Sequence, residues 1–216
     1  MVSHLLTTVN ESFDRVSMHG VRTGLLEQQA ESIGIPLVKA MLPEMPDMPT
    51  YEKIMEEHLL KLKGEGTDTA IFGDIFLEDL RNYREEKLSK LGIKCLFPIW
   101  QIPTNQLIME FIDLGFKAIT VCVDERHLDR SFVGRNIDAT FVRDLPASVD
   151  PCGENGEFHS FVYDGPIFKR PVAFETGETV YRRYSRQGDS LSGGSSEPFE
   201  TGFWFCDLLA AVTFRS

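Results

Sequence analysis

The first 123 residues alternate short apolar runs with amphipathic stretches of helical length, and no other feature of the sequence limits the fold so strongly. Strands are predicted at residues 5–9 (LLTTV), 35–40, 69–73 (TAIFG), 93–97 and 117–123 (KAITVCV). Between them, Leu26, Ala30 and Ile33 share one face of a helix over 25–33 that Gly34 and Pro36 stop. Thr50 can cap a helix whose Tyr51, Ile54, Met55, His58, Leu59 and Leu62 form an apolar stripe ending near Gly64 and Gly66. Further helices are predicted at about 76–91 and at 105–114, the second capped by Thr104 and closed by Gly115. Strands alternating with helices of this length are βαβ units, which build a parallel sheet covered by helices on both faces.

The pattern changes after Val123. Residues 124–150 are polar with one short helix near 138–144, and from Glu157 onward the alternation predicts antiparallel strands at 157–163, 171–176, 178–184 and 203–212. Between the last two lies RQGDSLSGGSSEPFE, whose Ser and Gly content predicts a mobile loop. The expected fold class is therefore α/β: a parallel-sheet, Rossmann-like nucleotide-binding domain over 1–124, followed by a smaller, mainly antiparallel α+β lobe over 125–216.

Composition narrows the function. Formal charge is −11, from 22 basic against 33 acidic residues, and no local basic stripe overrides it, so nucleic acid is not an expected ligand. A small nucleotide held by backbone N–H groups stays allowed. No stretch approaches the roughly 18 apolar residues of a membrane span, and residues 1–9 lack the pattern of a secretory signal. Cys95, Cys122, Cys152 and Cys206 are scattered without CxxC spacing, which predicts neither a zinc site nor a disulfide framework and fits the reducing cytoplasm.

In an open parallel sheet, ligands bind beyond the carboxyl ends of the strands. That rule selects Thr7, Thr8 and Val9, then Gly73 and Asp74, then the loops after Phe97 and Val123. No Gly-rich segment precedes the first strand or follows any strand in a way that would cradle phosphates. Asp74, where a strand meets a helix, reads first as a helix N-cap and otherwise as a cleft residue. Arg81 and Glu85 form an i,i+4 pair, a solvated face unless Arg81 joins Asp74 in contacting nucleotide or substrate. His19, in a loop near the first strand, is a candidate for approaching a phosphate.

The run CGENGEFHSFVYDGPIF, residues 152–168, is the most specific. Asn155-Gly156 alone would make a hairpin turn. Glu154 and Glu157 on either side of it, with His159 close by, are suited to holding an ammonium or taking a proton from an amine.

With the GDI run at 73–75, QAESIGIPL, PIW at 98–100 and LDRSFVGRNID at 128–138, this run resembles the diphthine–ammonia ligase family in the same order along the chain. The family is an N-type ATP pyrophosphatase with an adenine-nucleotide α-hydrolase-like (HUP) sheet. The resemblance implies use of ATP with Mg2+: a carboxylate attacks the α-phosphate, giving an acyl-adenylate and pyrophosphate, and ammonia then displaces AMP to leave an amide. The implied substrate is the diphthine of elongation factor. Carried over, Thr7, Thr8, Val9 and His19 would line the nucleotide pocket with Gly73 and Asp74. Glu154, Glu157 and His159 would be catalytic, and Arg81, Asn155, Gly156, Phe158 and Asp164 would meet the substrate. The family's Ser-Gly-Gly-Lys-Asp-Ser loop and its strand are expected just ahead of residue 1 and are not in this sequence, so the sheet is expected to lack its central strand. Two other readings stay open: the same fold acting on a different carboxylate, and an adenine-nucleotide binding protein without catalysis.

Overall fold

The computed structural model describes residues 1–16, 20–185 and 200–211. His19 and the Ser- and Gly-rich stretch 186–199 lie outside them.

Two βαβ units form where the alternation predicts them. In the first, β1 (Leu5–Asn10) runs parallel to β3 (Leu37–Leu42) in register from Leu5↔Leu37 to Asn10↔Leu42. The crossover is α1 (Thr23–Ile33), ended by Gly34 in the left-handed conformation at φ 80°, which a side chain would resist. A short β2 (Arg15–Val16) pairs antiparallel with the end of β1. In the second unit, β4 (Thr69–Ile71) and β5 (Lys94–Leu96) pair in parallel across α3 (Glu78–Lys90). Between the units runs α2 (Met48–Gly64), whose first turn is capped by Asp47, the Thr50 N–H donating to its carboxylate at 2.9 Å. Thr50 thus supplies the donor, while the cap lies three residues earlier than the pattern predicts.

After α4 (Thr104–Asp113) comes β6 (Lys117–Asp124), then a 3₁₀ turn at Arg130–Phe132, α5 (Ala139–Asp144), β7 (Phe158–Asp164), β8 (Phe174–Ser185) and β9 (Glu200–Ala210). These strands make a four-stranded antiparallel sheet in the order β7-β6-β9-β8.

Two expectations need correction. The strand predicted at 117–123 does not join the parallel strands: β1–β3 and β4–β5 form two separate parallel sheets, and β6 belongs with the antiparallel strands. KAITVCV reads as a parallel core strand because it is apolar on both faces, and β6 is indeed buried from Ala118 to Asp124. Such a run marks any doubly covered strand, whatever the direction of its neighbours. Second, the strands predicted at 171–176 and 178–184 are replaced by the single strand β8, which begins at Phe174. Gly177, which separates the two predicted spans, sits at a register irregularity between Thr176 and Thr179, where a Cβ would come within 3.3 Å of the Asp207 carbonyl.

The largest buried apolar cluster belongs to the antiparallel sheet and its covering elements. On one side Phe141 stands edge-on to Phe132 and to Phe158, with centroids 5.8 and 5.4 Å apart; Val121, Val123 and Leu208 complete the packing. From the first unit α1 contributes Leu25, wholly buried. Polar contacts hold α1 in place: the Gln29 amide donates to the Val162 carbonyl at 2.6 Å and the Ser32 hydroxyl donates to the Arg170 carbonyl. Arg15 and Arg22 both reach Asp207 on β9, at 2.9 and 2.6 Å. Together they hold its carboxyl at about 2, against the upward push of burial.

Candidate active site

The loop 150–157, between α5 and β7, is built around two carboxylates. Asp150 accepts from the backbone N–H of Cys152 and Glu154, at 3.2 and 2.9 Å. Glu157 is 1% exposed and accepts from the N–H of Asp150 (3.0 Å) and of Asn155 (3.1 Å) and from the Asn155 amide (3.0 Å). Gly153 and Gly156 have φ of 69° and 86°, and a Cβ on Gly153 would come 2.8 Å from the Phe158 carbonyl. Burial alone would push the Glu157 carboxyl up, but donation from the Asn155 side chain and from backbone N–H groups outweighs it and holds the group below the ordinary glutamate value. An ionised carboxylate committed to three donors shapes the loop; to act as a base it would have to release them.

Glu154 points the other way. Its Oε1 accepts from the backbone N–H of Ile75 at 2.6 Å, tying the loop to the segment that leaves β4. The Ile75 carbonyl accepts in turn from the N–H of Gln101 at 2.7 Å, and Gln101 is held at φ 59°, an unfavourable value outside glycine. The Cys152 thiol lies 3.3 Å from the Thr104 carbonyl, so the loop also meets the start of α4. Three chain segments therefore converge: the end of β4, the turn after β5 and the loop 150–157.

Side chains on α3 close the group. Asp74 is buried and ion-paired to Arg84 at 2.7 Å, and Arg84 lies over the Phe72 ring at 4.4 Å. Asp74 caps nothing: α3 starts at Glu78 with Leu77 at the cap position. Arg81 forms the anticipated pair with Glu85, at 2.9 Å, and covers the rings of Phe97 and Trp100.

The structure brings together Gly73, Asp74, Glu154, Asn155, Gly156 and Glu157, through the bond to Ile75. It does not bring Asp164 there. Asp164 pairs with Lys117 at 2.8 Å at the opposite end of β7, about 20 Å away at strand rise. Phe158 is 4% exposed and packs on Phe141, which makes it core. His159, one residue further, is opposite Cys122 in the sheet. Thr7, Thr8 and Val9 lie in β1, bonded to β3, with Val9 wholly buried; β1 and β4 are not paired. Sequence reasoning missed Asp150, Gln101 and the Ile75 backbone. A backbone donor leaves no mark in sequence, but Asp150 before Pro151 and the aromatic in PIW were visible signals.

Two surface concavities lie elsewhere. One, about 490 Å³, follows the outer side of α4 past Asn105, Met109 and Leu114. The other, about 320 Å³, lies at the Lys117 end of the sheet beside Phe116, Asn136 and Tyr163. Neither has the converging polar groups of the junction. Among the described residues no helix is long and apolar enough to cross a membrane, and no group of three or more His, Cys, Asp or Glu could hold a metal ion.

Residues 103–187 match the family model described as Diphthamide synthase C-terminal domain. Proteins named diphthine–ammonia ligase are similar to the chain: that of Homo sapiens is 30% identical over 129 residues, 56% of this chain and 48% of the human one. That of Bos taurus is 27% identical over 170 residues, 72% of this chain and 64% of the bovine one. In Schizosaccharomyces pombe the match is 29% over 116 residues, 51% of this chain and 19% of the yeast one. The chain thus covers less than two thirds of the length of each of these relatives. The segment similar to the Diphthamide synthase C-terminal domain contains the loop 150–157, so the similarity extends to the candidate site.

Proposed function

We propose that the protein forms an amide from a carboxylate and ammonia at the expense of ATP, as the names of its relatives suggest, with the diphthine of elongation factor as carboxylate. The observation that carries this reading is the bond from Glu154 to the Ile75 N–H, which joins the family-matched domain to the strand ends of the α/β part. Ligands of open parallel strands collect at those ends.

In this reading the junction divides the labour. Gly73 lies on the nucleotide side; a Cβ there would meet nothing within 4 Å, so its backbone is open to a phosphate or ribose oxygen. Thr7 and Thr8, half-exposed on the separate β1–β3 sheet, are also assigned to the nucleotide, whereas Val9, wholly buried, offers it no side chain. ATP, when bound, supplies the activation that makes a carboxylate reactive toward an amine. Magnesium is assigned no protein ligand. Glu154 is assigned to the meeting point of acyl group and ammonia, with His159, which follows the loop on β7, as the candidate to carry a proton. Glu157 holds Glu154 in place by fixing the loop.

The test is to incubate the purified protein with ATP, ammonium and diphthine-bearing elongation factor, measuring AMP by chromatography and the amide by mass spectrometry. AMP and amide in equal amounts, both lost with Glu154→Ala, support the reading. Nucleotide binding without AMP would sink it in favour of an adenine-nucleotide binding protein, and AMP formation with a different carboxylate would keep the chemistry while replacing the substrate.

A further inference from the structure

Arg81 is held more firmly than a surface arginine needs to be. Its guanidinium carbon lies 4.6 Å from the centre of the Trp100 ring and 4.9 Å from that of Phe97, and those two rings meet edge to face at 6.0 Å. Phe97 is stacked in turn on Phe72 at 5.5 Å. Ring faces attract a guanidinium and fix its plane. Nε is bonded to Glu85. Among the described residues nothing accepts from the two terminal nitrogens, while the side chain keeps 33% of its surface exposed.

Its neighbours are already engaged. Arg84 ion-pairs with Asp74 through Nε at 2.7 Å and donates to it from a terminal nitrogen at 3.3 Å. Glu85 holds Arg81, and Glu154 holds the Ile75 N–H. Arg81 therefore keeps an outer, two-donor edge that is partly exposed and has no acceptor among the described residues. A planar fork with its orientation fixed by aromatic faces matches two oxygens of one anion, whereas a flexible ammonium does not.

We propose that Arg81 is an oxyanion receptor, taking two oxygens of a carboxylate or a phosphate on its terminal nitrogens while Trp100, Phe97 and Glu85 hold it in plane. This rests on the function proposed above, whose two reactants each carry such a group, and it assigns Arg81 a ligand-binding role beyond bracing the turn after β5.

Trp100 supplies the readout, since the chain has 2 tryptophans and the other, Trp204, packs on Tyr181 in the antiparallel sheet. In a Trp204→Phe variant, Trp100 emission is followed while sodium phosphate or sodium acetate replaces sodium chloride at constant ionic strength. The proposal predicts a saturable change with one of them, weakened about tenfold in Arg81→Lys, the worth of one charge-assisted hydrogen bond, with circular dichroism unaltered. Saturation by phosphate alone assigns Arg81 to the nucleotide, and saturation by acetate alone assigns it to the acyl substrate. If Trp204→Phe does not fold, the Arg81 Nε–H resonance of the unsubstituted protein is titrated with the same salts. No saturable response, or one equally strong in Arg81→Lys, overturns the proposal. Unaltered amide formation by Arg81→Lys would overturn it too and leave the proposed function standing; anion binding without amide formation would do the reverse.

Discussion

The two halves of the chain solve the burial problem differently. In the antiparallel half, β6 is buried from Ala118 to Asp124 and shares one apolar cluster with Phe132, Phe141 and Leu25 of α1. In the β4–β5 pair, the register partners Ile71 and Leu96 are 54% and 51% exposed, and α2 buries only Leu62 of its length. Burial of a large apolar side chain contributes about 1.5–3 kcal/mol, so this contrast predicts a firm half and a weakly held half. The candidate site lies where they meet. Its loop is anchored in the firm half through Glu157, whose carbonyl also accepts from Asp124 at 2.9 Å, and it reaches the other half through Glu154.

The largest expected effect is in the firm core. Phe141→Ala removes a wholly buried ring with two edge-on partners and should cost about 3–5 kcal/mol in urea unfolding. A loss under about 1 kcal/mol would break the comparison at its strongest point. Next is Glu157→Gln, which removes the charge from three hydrogen bonds and should cost about 1–3 kcal/mol. Because the folded-state carboxyl is held below its ordinary value, its contribution is present above that value and is lost as pH falls through the folded one. The variant should therefore show a flatter stability profile in acid than the parent protein.

Asp207→Asn comes third. It releases Arg15 and Arg22, both partly exposed, so about 1 kcal/mol is expected after solvent screening. The sign is the same as for Glu157: stability present above pH 3.8 declines as pH falls toward about 2. A pH titration of unfolding that stayed flat in that window would show that the two arginines do not hold α1 and β2 to β9. The smallest effect belongs to the weak half: Ile71→Ala should change stability by about 0.5 kcal/mol or less. A cost approaching that of Phe141→Ala would mean that Ile71 is covered in solution.

Much of this was legible in the sequence. Periodicity located α1 to within two residues because its apolar positions recur at helical spacing, and α3 and α5 were placed as closely between the predicted strands. What it could not reveal was which strands pair. Local pattern reports whether a strand is covered on two faces, and β6 is, but its partners lie 35 and more residues away. The site was half legible. Gly153 and Gly156 marked a tight loop, and Glu154 and Glu157 stood out as carboxylates in it. Their different orientations were not readable, because they depend on Asp150 turning the loop inward and on a backbone N–H at Ile75. Asp164 was grouped with them by proximity along the chain, and an extended strand of 7 residues carries it to the other end of the sheet.

Native-state hydrogen exchange tests the central claim most directly, since it reads each half and the link between them in one measurement. The account predicts that amides of Val121 and Val123 exchange only through global unfolding, while those of Ile71 and Phe72 exchange faster through partial opening. The Ile75 amide should be protected by Glu154, and Glu154→Ala should accelerate it while leaving Val121 unchanged. Equal protection across β4 and β6, or an Ile75 amide indifferent to Glu154→Ala, would contradict it.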